Sequence, residues 1–229
     1  MHSTLLQTAC EHLIKADERM KPLVEKYPCP IFSCENLSKS VDPFESLTSG
    51  IISQQVSGAA AKSIKTKFIN LFAQKNLTAT FPSALAVSSA SVTQLKSAGL
   101  SQRKAEYIKG LAEKFETKAL TSQMLFESPY ENIFEKLIAV RGLGSWSIEM
   151  FAVFGLKRID VFSVDDLGVQ RGIAAFLGRD IKKLKLQKGK WKYISKEEML
   201  KFSQKFAPYR SLLMWFMWQV EATDISIME

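Results

Sequence analysis

The chain has few of the residues that build metal centres or covalent frameworks. Its 229 residues include three cysteines, Cys10, Cys29 and Cys34, and two histidines, His2 and His12, all near the N-terminus. The cysteines are odd in number and lack the close four-cysteine spacing of an iron–sulfur or zinc site, so reduced buried or surface thiols are expected. No apolar run approaches the roughly 18 residues of a membrane-spanning helix. The first residues do not read as a secretory signal, and an intracellular protein is expected. There is no repeat with a 20 to 50 residue period and no low-complexity tract. Prolines are scarce, and three of the seven, Pro22, Pro28 and Pro30, fall in one stretch. Residues 21–40 are therefore expected to be irregular or a short extended piece.

What is abundant is basic charge: 31 Lys+Arg against 23 Asp+Glu leaves a net +8 and a pI near 9.3. A polyanionic partner follows, although a basic surface also simply keeps a protein soluble. With 46% hydrophobic residues the chain is able to bury one large core or two smaller ones.

Nearly every segment carries a helical rhythm. Leu5, Leu6, Ala9, Cys10, Leu13 and Ile14 form a stripe, and Asp42-Pro43-Phe44-Glu45 combines a cap, a first-turn proline and a glutamate at the capping-box position. Further helices are predicted over 57–72, 91–99, 101–115, 131–140, 145–154, 166–177, 195–206 and 209–220. The apolar cluster Leu212 to Trp218 reads as a buried helix.

Between two of these helices lies Arg141-Gly142-Leu143-Gly144. Two glycines permit positive φ and remove side chains, so backbone N–H groups at the start of the next helix would meet an anion closely. That makes a phosphate clamp from Gly142, Leu143, Gly144, Ser145 and Ser147 without an obligatory lysine. A paired carboxylate, Asp165-Asp166, follows. An Asp before a helix commonly caps backbone N–H groups, and both carboxylates have that structural reading beside a chemical one.

This hairpin, with Val164-Asp165-Asp166-Leu167-Gly168-Val169, resembles the helix-hairpin-helix DNA glycosylase superfamily, and within it the 3-methyladenine (alkylpurine) branch of bacteria and yeasts, nearest in pattern to the fission-yeast homologues. Ile51-Ile52-Ser53-Gln54-Gln55-Val56-Ser57, Gly99-Leu100-Ser101-Gln102-Arg103-Lys104-Ala105 and Ala207-Pro208-Tyr209-Arg210-Ser211 extend the resemblance over roughly residues 42–220. It implies an all-α, two-lobed helical bundle with a DNA-binding cleft between the lobes. The 229 residues would form a single compact unit, one lobe mainly from about 55–165 and the other from the N-terminal segment plus about 166–229. Members with a C-terminal cysteine-ligated cluster are excluded, because no cysteine follows Cys34.

The resemblance further implies a monofunctional DNA glycosylase of base excision repair that flips alkylated purines and hydrolyses their N-glycosidic bonds, or else a catalytically weak homologue that recognises abasic or distorted DNA. Asp166 becomes the catalytic aspartate, since a carboxylate near C1′ stabilises an oxocarbenium-like transition state. Trp146 stands where members that also cleave the backbone carry a Schiff-base lysine, so no AP-lyase step is expected. Trp146, Met150 and Tyr209 would line the base pocket, with Met150 and Tyr209 departing from the tyrosine and tryptophan of some relatives. Gln54, Gln55, Val56 and Ser57 would form the wedge and minor-groove contact, or an ordinary polar turn before a helix capped by Ser57. Arg210 would pair with an internal carboxylate.

No protein cofactor is expected. The resemblance implies at most a structural Na+ or K+ on the main-chain carbonyls of Ile138, Val140 and Leu143. Expected partners are double-stranded DNA with an alkylated base or abasic site, and downstream an AP endonuclease or nucleotide-excision factors, for a nuclear monomer without membrane contact. The run from Arg179 to Lys192 carries Lys182, Lys183, Lys185, Lys188, Lys190 and Lys192, and reads equally as a solvated face, a DNA-backbone loop or a nuclear-import signal. Lys62, Lys65 and Lys67 raise the same question.

Overall fold

The computed structural model describes residues 2–73 and 80–226, and among these residues the secondary structure is helical, with no strand. No helix among them is long and apolar enough to cross a membrane. The chain divides into two compact units, residues 40–156 and residues 1–39 with 157–229.

The continuous unit holds the helices Pro43–Ser53, Gly58–Asn70, Ala84–Ser89, Val92–Lys96, Gln102–Glu116, Ser122–Glu127, Tyr130–Ile138 and Ser145–Met150. Short polar side chains start most of them. Ser57, Ser83, Ser91, Ser101 and Thr121 each accept the backbone N–H three residues on, satisfying a donor that the first turn leaves unpaired. Asp42 caps Pro43–Ser53 through the N–H groups of Phe44 and Glu45. The expected capping box is only half formed there, because the Glu45 carboxylate turns to Lys65 at 2.9 Å. Lys65 is thereby committed within the protein. The apolar faces meet in one core around Phe44, Leu47, Ile51, Phe68, Ile108, Leu111, Ile133, Leu137 and Ile148. Pro43–Ser53, outside the expected 55–165 stretch, belongs to this unit because its buried face supplies Phe44, Leu47, Ile51 and Ile52 to that core.

The helix predicted over 145–154 is α-helical only to Met150 and continues as one wide π-turn, Phe151–Gly155, closed by the Leu156 N–H on the Phe151 carbonyl at 3.0 Å. Gly155 makes the widening possible: a methyl there would lie 2.8 Å from the Phe151 ring and 2.9 Å from Ser46 Oγ.

The second unit is built from two separate stretches of chain. Its helices are His2–Ala16, Lys21–Lys26, Cys34–Leu37, Leu167–Phe176, Ile181–Lys185, Lys196–Gln204 and Arg210–Ser226, with a 3-10 turn at Glu18–Met20. Residues 21–40, expected to be irregular, contain two short helices. Pro22 lies in the first turn of Lys21–Lys26, where a missing N–H costs nothing, so it starts that helix instead of breaking one. Leu167–Phe176 packs so closely on Arg210–Ser226 that a methyl on Gly172 would overlap the Met217 backbone. The predicted burial of the last helix holds for Leu212, Leu213, Met214, Phe216 and Met217, while Trp215 and Trp218 are partly covered.

Candidate functional site

In the continuous unit, Tyr130–Ile138 runs into the turn Val140–Leu143, where the Leu143 N–H donates to the Val140 carbonyl at 3.2 Å, and Ser145–Met150 then begins. The two hairpin glycines do different work. Gly142 has φ +95, and a methyl there would overlap the Tyr107 ring. Gly144 has φ −103, open to any residue, and nothing lies within 4 Å of where its methyl would stand. Positive φ is thus confined to Gly142, and what Gly144 leaves is open space before a helix start that no side chain caps. The backbone N–H groups of that turn are what an anion would meet. Leu143 itself is buried.

The Gln54 to Ser57 turn lies against this hairpin. Gln54 Nε2 donates to the Gly142 carbonyl at 2.9 Å and to Ser147 Oγ at 3.3 Å. Gln54, the first residue of the turn expected to supply the wedge, thus braces that turn on the hairpin. Gln55 has φ +55, a conformation that a non-glycine residue holds only when its surroundings enforce it. Gln55, Val56 and Ser57 are exposed. Ser57 also caps the next helix through Ala60 N–H at 3.3 Å, so its structural reading is realised. Just before Gln55, Lys104 Nζ donates to the carbonyls of Ile52 at 2.8 Å and Gln54 at 2.7 Å. Desolvation draws its ammonium below the usual lysine pKa.

Trp146 and Met150 share a recess of about 180 Å³ with Phe154, Gly50 and Ser53. Trp146 and Phe154 remain 46% and 43% exposed, so these rings form an open apolar shelf and not a closed core.

Asp166 belongs to the other unit. It is 8% exposed, and its Oδ1 accepts two donors, the Val169 N–H at 2.8 Å and Trp218 Nε1 at 2.9 Å. It is thus a helix cap and an oriented carboxylate together. Gly168 leaves room for this, because a methyl there would stand 2.9 Å from Trp218 Cδ1 and 3.2 Å from that same carboxylate oxygen. The loop before it is pinned by Gln170 Nε2 on the Val164 carbonyl at 3.1 Å. Asp165 instead pairs with Lys190 of the basic insertion at 2.7 Å.

Arg210 has the internal partner foreseen for it, and the partner is Asp160. Its Nε and Nη2 donate at 2.7 and 2.8 Å, and its backbone N–H at 3.2 Å. Burial alone would raise the Asp160 carboxyl, but these bonds outweigh it and hold its pKa below the ordinary value. Ser211 adds a second stitch, donating to the Arg158 carbonyl at 2.7 Å and accepting the Val161 N–H at 2.9 Å. Tyr209 is half-buried with its ring edge-on to His12, centroids 5.2 Å apart, beside Leu5, Ala9 and Phe32 of the same unit. Sequence reasoning named Lys104 and Lys190 without their partners and missed the contact of Trp218. Lys104 stood inside a recognised motif, but no local pattern links Trp218 to an aspartate 52 positions away.

Residues 48–196 match the HhH-GPD superfamily base excision DNA repair protein model. A DNA-3-methyladenine glycosylase of Saccharomyces cerevisiae is 32% identical over 252 residues, which cover 99% of this chain and 83% of that protein. Among solved structures, a DNA-3-methyladenine glycosidase from Bacillus halodurans is similar with TM-score 0.76 and 28% identity, covering 95% of this chain and 91% of that one. A Schizosaccharomyces pombe 3-methyladenine DNA glycosylase (Mag1) in complex with abasic DNA gives TM-score 0.70 and 26% identity, covering 93% and 95%.

Proposed function

Because this chain belongs to the HhH-GPD superfamily of base excision DNA repair proteins, we propose that it releases alkylated purines of the 3-methyladenine and 7-methylguanine type from duplex DNA by hydrolysis, with Asp166 as its catalytic carboxylate. The observation that carries this reading is the nearly buried Asp166 side chain, fixed by Val169 N–H and Trp218 Nε1 on one oxygen.

The C1′–N bond breaks with its electron pair leaving on the purine, whose positive ring charge is thereby cancelled. The sugar gains oxocarbenium character, which the Asp166 charge stabilises. Water then bonds to C1′ and gives up a proton, leaving free base and an abasic sugar. Flipping costs a few kcal/mol of unstacking and unpairing, and Gln55 and Val56, exposed at the tip of a braced turn, suit the role of filling the vacated stack. The Trp146 and Met150 shelf suits an electron-poor alkylated ring. Trp146 has no amine to form an imine, so the proposed activity ends at the abasic site without backbone cleavage. Gly144 and the N–H groups after it would grip a phosphate.

An alkali ion on the carbonyls of Ile138, Val140 and Leu143 would reinforce that grip. Val140 already accepts the Leu143 N–H, which leaves one lone pair of its carbonyl for an ion. Replacing Na+ and K+ by a bulky organic cation at constant ionic strength would then weaken duplex binding.

The test of the whole reading is single-turnover release of free purines from methylated duplex DNA, with wild type and Asp166→Asn side by side. Release by wild type alone supports it. No release by wild type, together with tight binding to an abasic duplex, would replace the enzyme by a lesion-recognition protein.

A further inference from the structure

The motif Gly99 to Ala105 has no role in the chemistry above, yet it delivers Lys104 to a specific place. Helix Pro43–Ser53 ends in carbonyls that have no partner within the helix, and a helix C-terminus favours a cation. Lys104 answers both needs by donating to the Ile52 and Gln54 carbonyls, from the first turn of a helix capped by Ser101. The residue between those bonds and the exposed tip, Gln54, points the other way and binds the hairpin at Gly142 and Ser147. Next to it Gln55 is held at φ +55.

We infer that Lys104 and Gln54 are positioning residues that fix the exposed turn to the phosphate-binding hairpin as one rigid piece, so that gripping the backbone aims Gln55 and Val56 at the base stack. The inference rests on the proposed action on duplex DNA. Lys104 acts through main-chain carbonyls and Gln54 through the hairpin carbonyl, and neither need touch the nucleic acid. Without them the tip would still exist, but its direction would no longer follow from where the phosphate sits.

The experiment compares wild type, Lys104→Met, Lys104→Arg and Gln54→Met. Affinities for an undamaged and an abasic duplex are measured at one salt concentration, with thermal melting of each protein and the fluorescence of a 2-aminopurine placed beside the lesion. Wild type should prefer the abasic duplex and unstack the probe. Lys104→Met and Gln54→Met should melt cooperatively, bind undamaged DNA within about twofold of wild type, and lose roughly tenfold of the abasic preference together with the probe signal, the scale of one or two lost hydrogen bonds. Lys104→Arg should restore most of both. If Lys104→Met does not fold, Gln54→Met alone decides. A folded variant that keeps the full preference and probe signal overturns the coupling, as does an equal loss on both duplexes. A wild type without abasic preference overturns the proposed action on DNA first, and the coupling with it.

Discussion

At the residue scale, Asp166 carries two duties on one oxygen, and they separate by substitution. Asparagine keeps an oxygen for Val169 N–H and Trp218 Nε1 but no charge, so Asp166→Asn should melt close to wild type and bind an abasic duplex normally while releasing no base. Asp166→Ala should lose about 1 kcal/mol more through the missing cap. The hairpin glycines separate in the same way. Gly142→Ala must take up an unfavourable φ against the Tyr107 ring and should cost about 2 kcal/mol in a denaturation curve. Gly144→Ala should be nearly neutral there, whereas Gly144→Asp should weaken binding to every duplex by setting a charge against the phosphate. Unchanged duplex affinity in Gly144→Asp would discard the clamp. The three thiols also differ. Burial pushes Cys29 up to about 11 and raises Cys10, while Cys34 is exposed. At pH 8, alkylation followed by mass spectrometry should therefore modify Cys34 first and Cys29 last.

At the scale of elements, most helix starts were legible because a Ser, Thr or Asp stands before each apolar stripe, and the structure uses those side chains as caps. What was not legible depends on contacts between distant elements. Pro22 looked like a breaker until its first-turn position was known. The π-turn at Phe151–Gly155 ends on a Gly155 whose methyl would crowd Phe151 and Ser46, which a 3.6-residue period does not encode. The close crossing of Leu167–Phe176 with Arg210–Ser226 is equally silent in sequence, and Gly172→Ala should cost about 3 kcal/mol by pushing the two helices apart. The Asp160–Arg210 clamp at the start of the last helix predicts an acid dependence. Its folded carboxyl lies below the unfolded value of about 3.9, so its stabilisation is complete above that pH and is lost as pH falls through the lower, folded value. Melting temperatures of Asp160→Asn should accordingly fall less than wild type between about pH 5 and pH 3.

For the whole molecule, the +8 charge points to a polyanionic partner, but it does not tell which lysines are committed elsewhere. Lys65, Lys104 and Lys190 all bind groups of the protein itself. Lys182, Lys185 and Lys188 lie exposed on the insertion. Changing these three to Gln should flatten the dependence of log affinity on log salt by about 0.9 for each lysine that meets a phosphate, and an unaltered slope would make the insertion a solvated face. The four motifs announced the family because they are local in sequence. The pairing of Asp166 with Trp218 was hidden because it closes across 52 residues. The path of the chain has its own consequence. Residues 40–156 form a continuous unit, whereas the other unit needs residues 1–39 to wait for 157–229. During synthesis the hairpin and its braced turn are complete before Asp166 has left the ribosome, and the N-terminal helices stay without their partners until the last helix emerges. Translation arrested in between would yield a nascent chain that carries the proposed phosphate grip but lacks the carboxylate proposed to release the base.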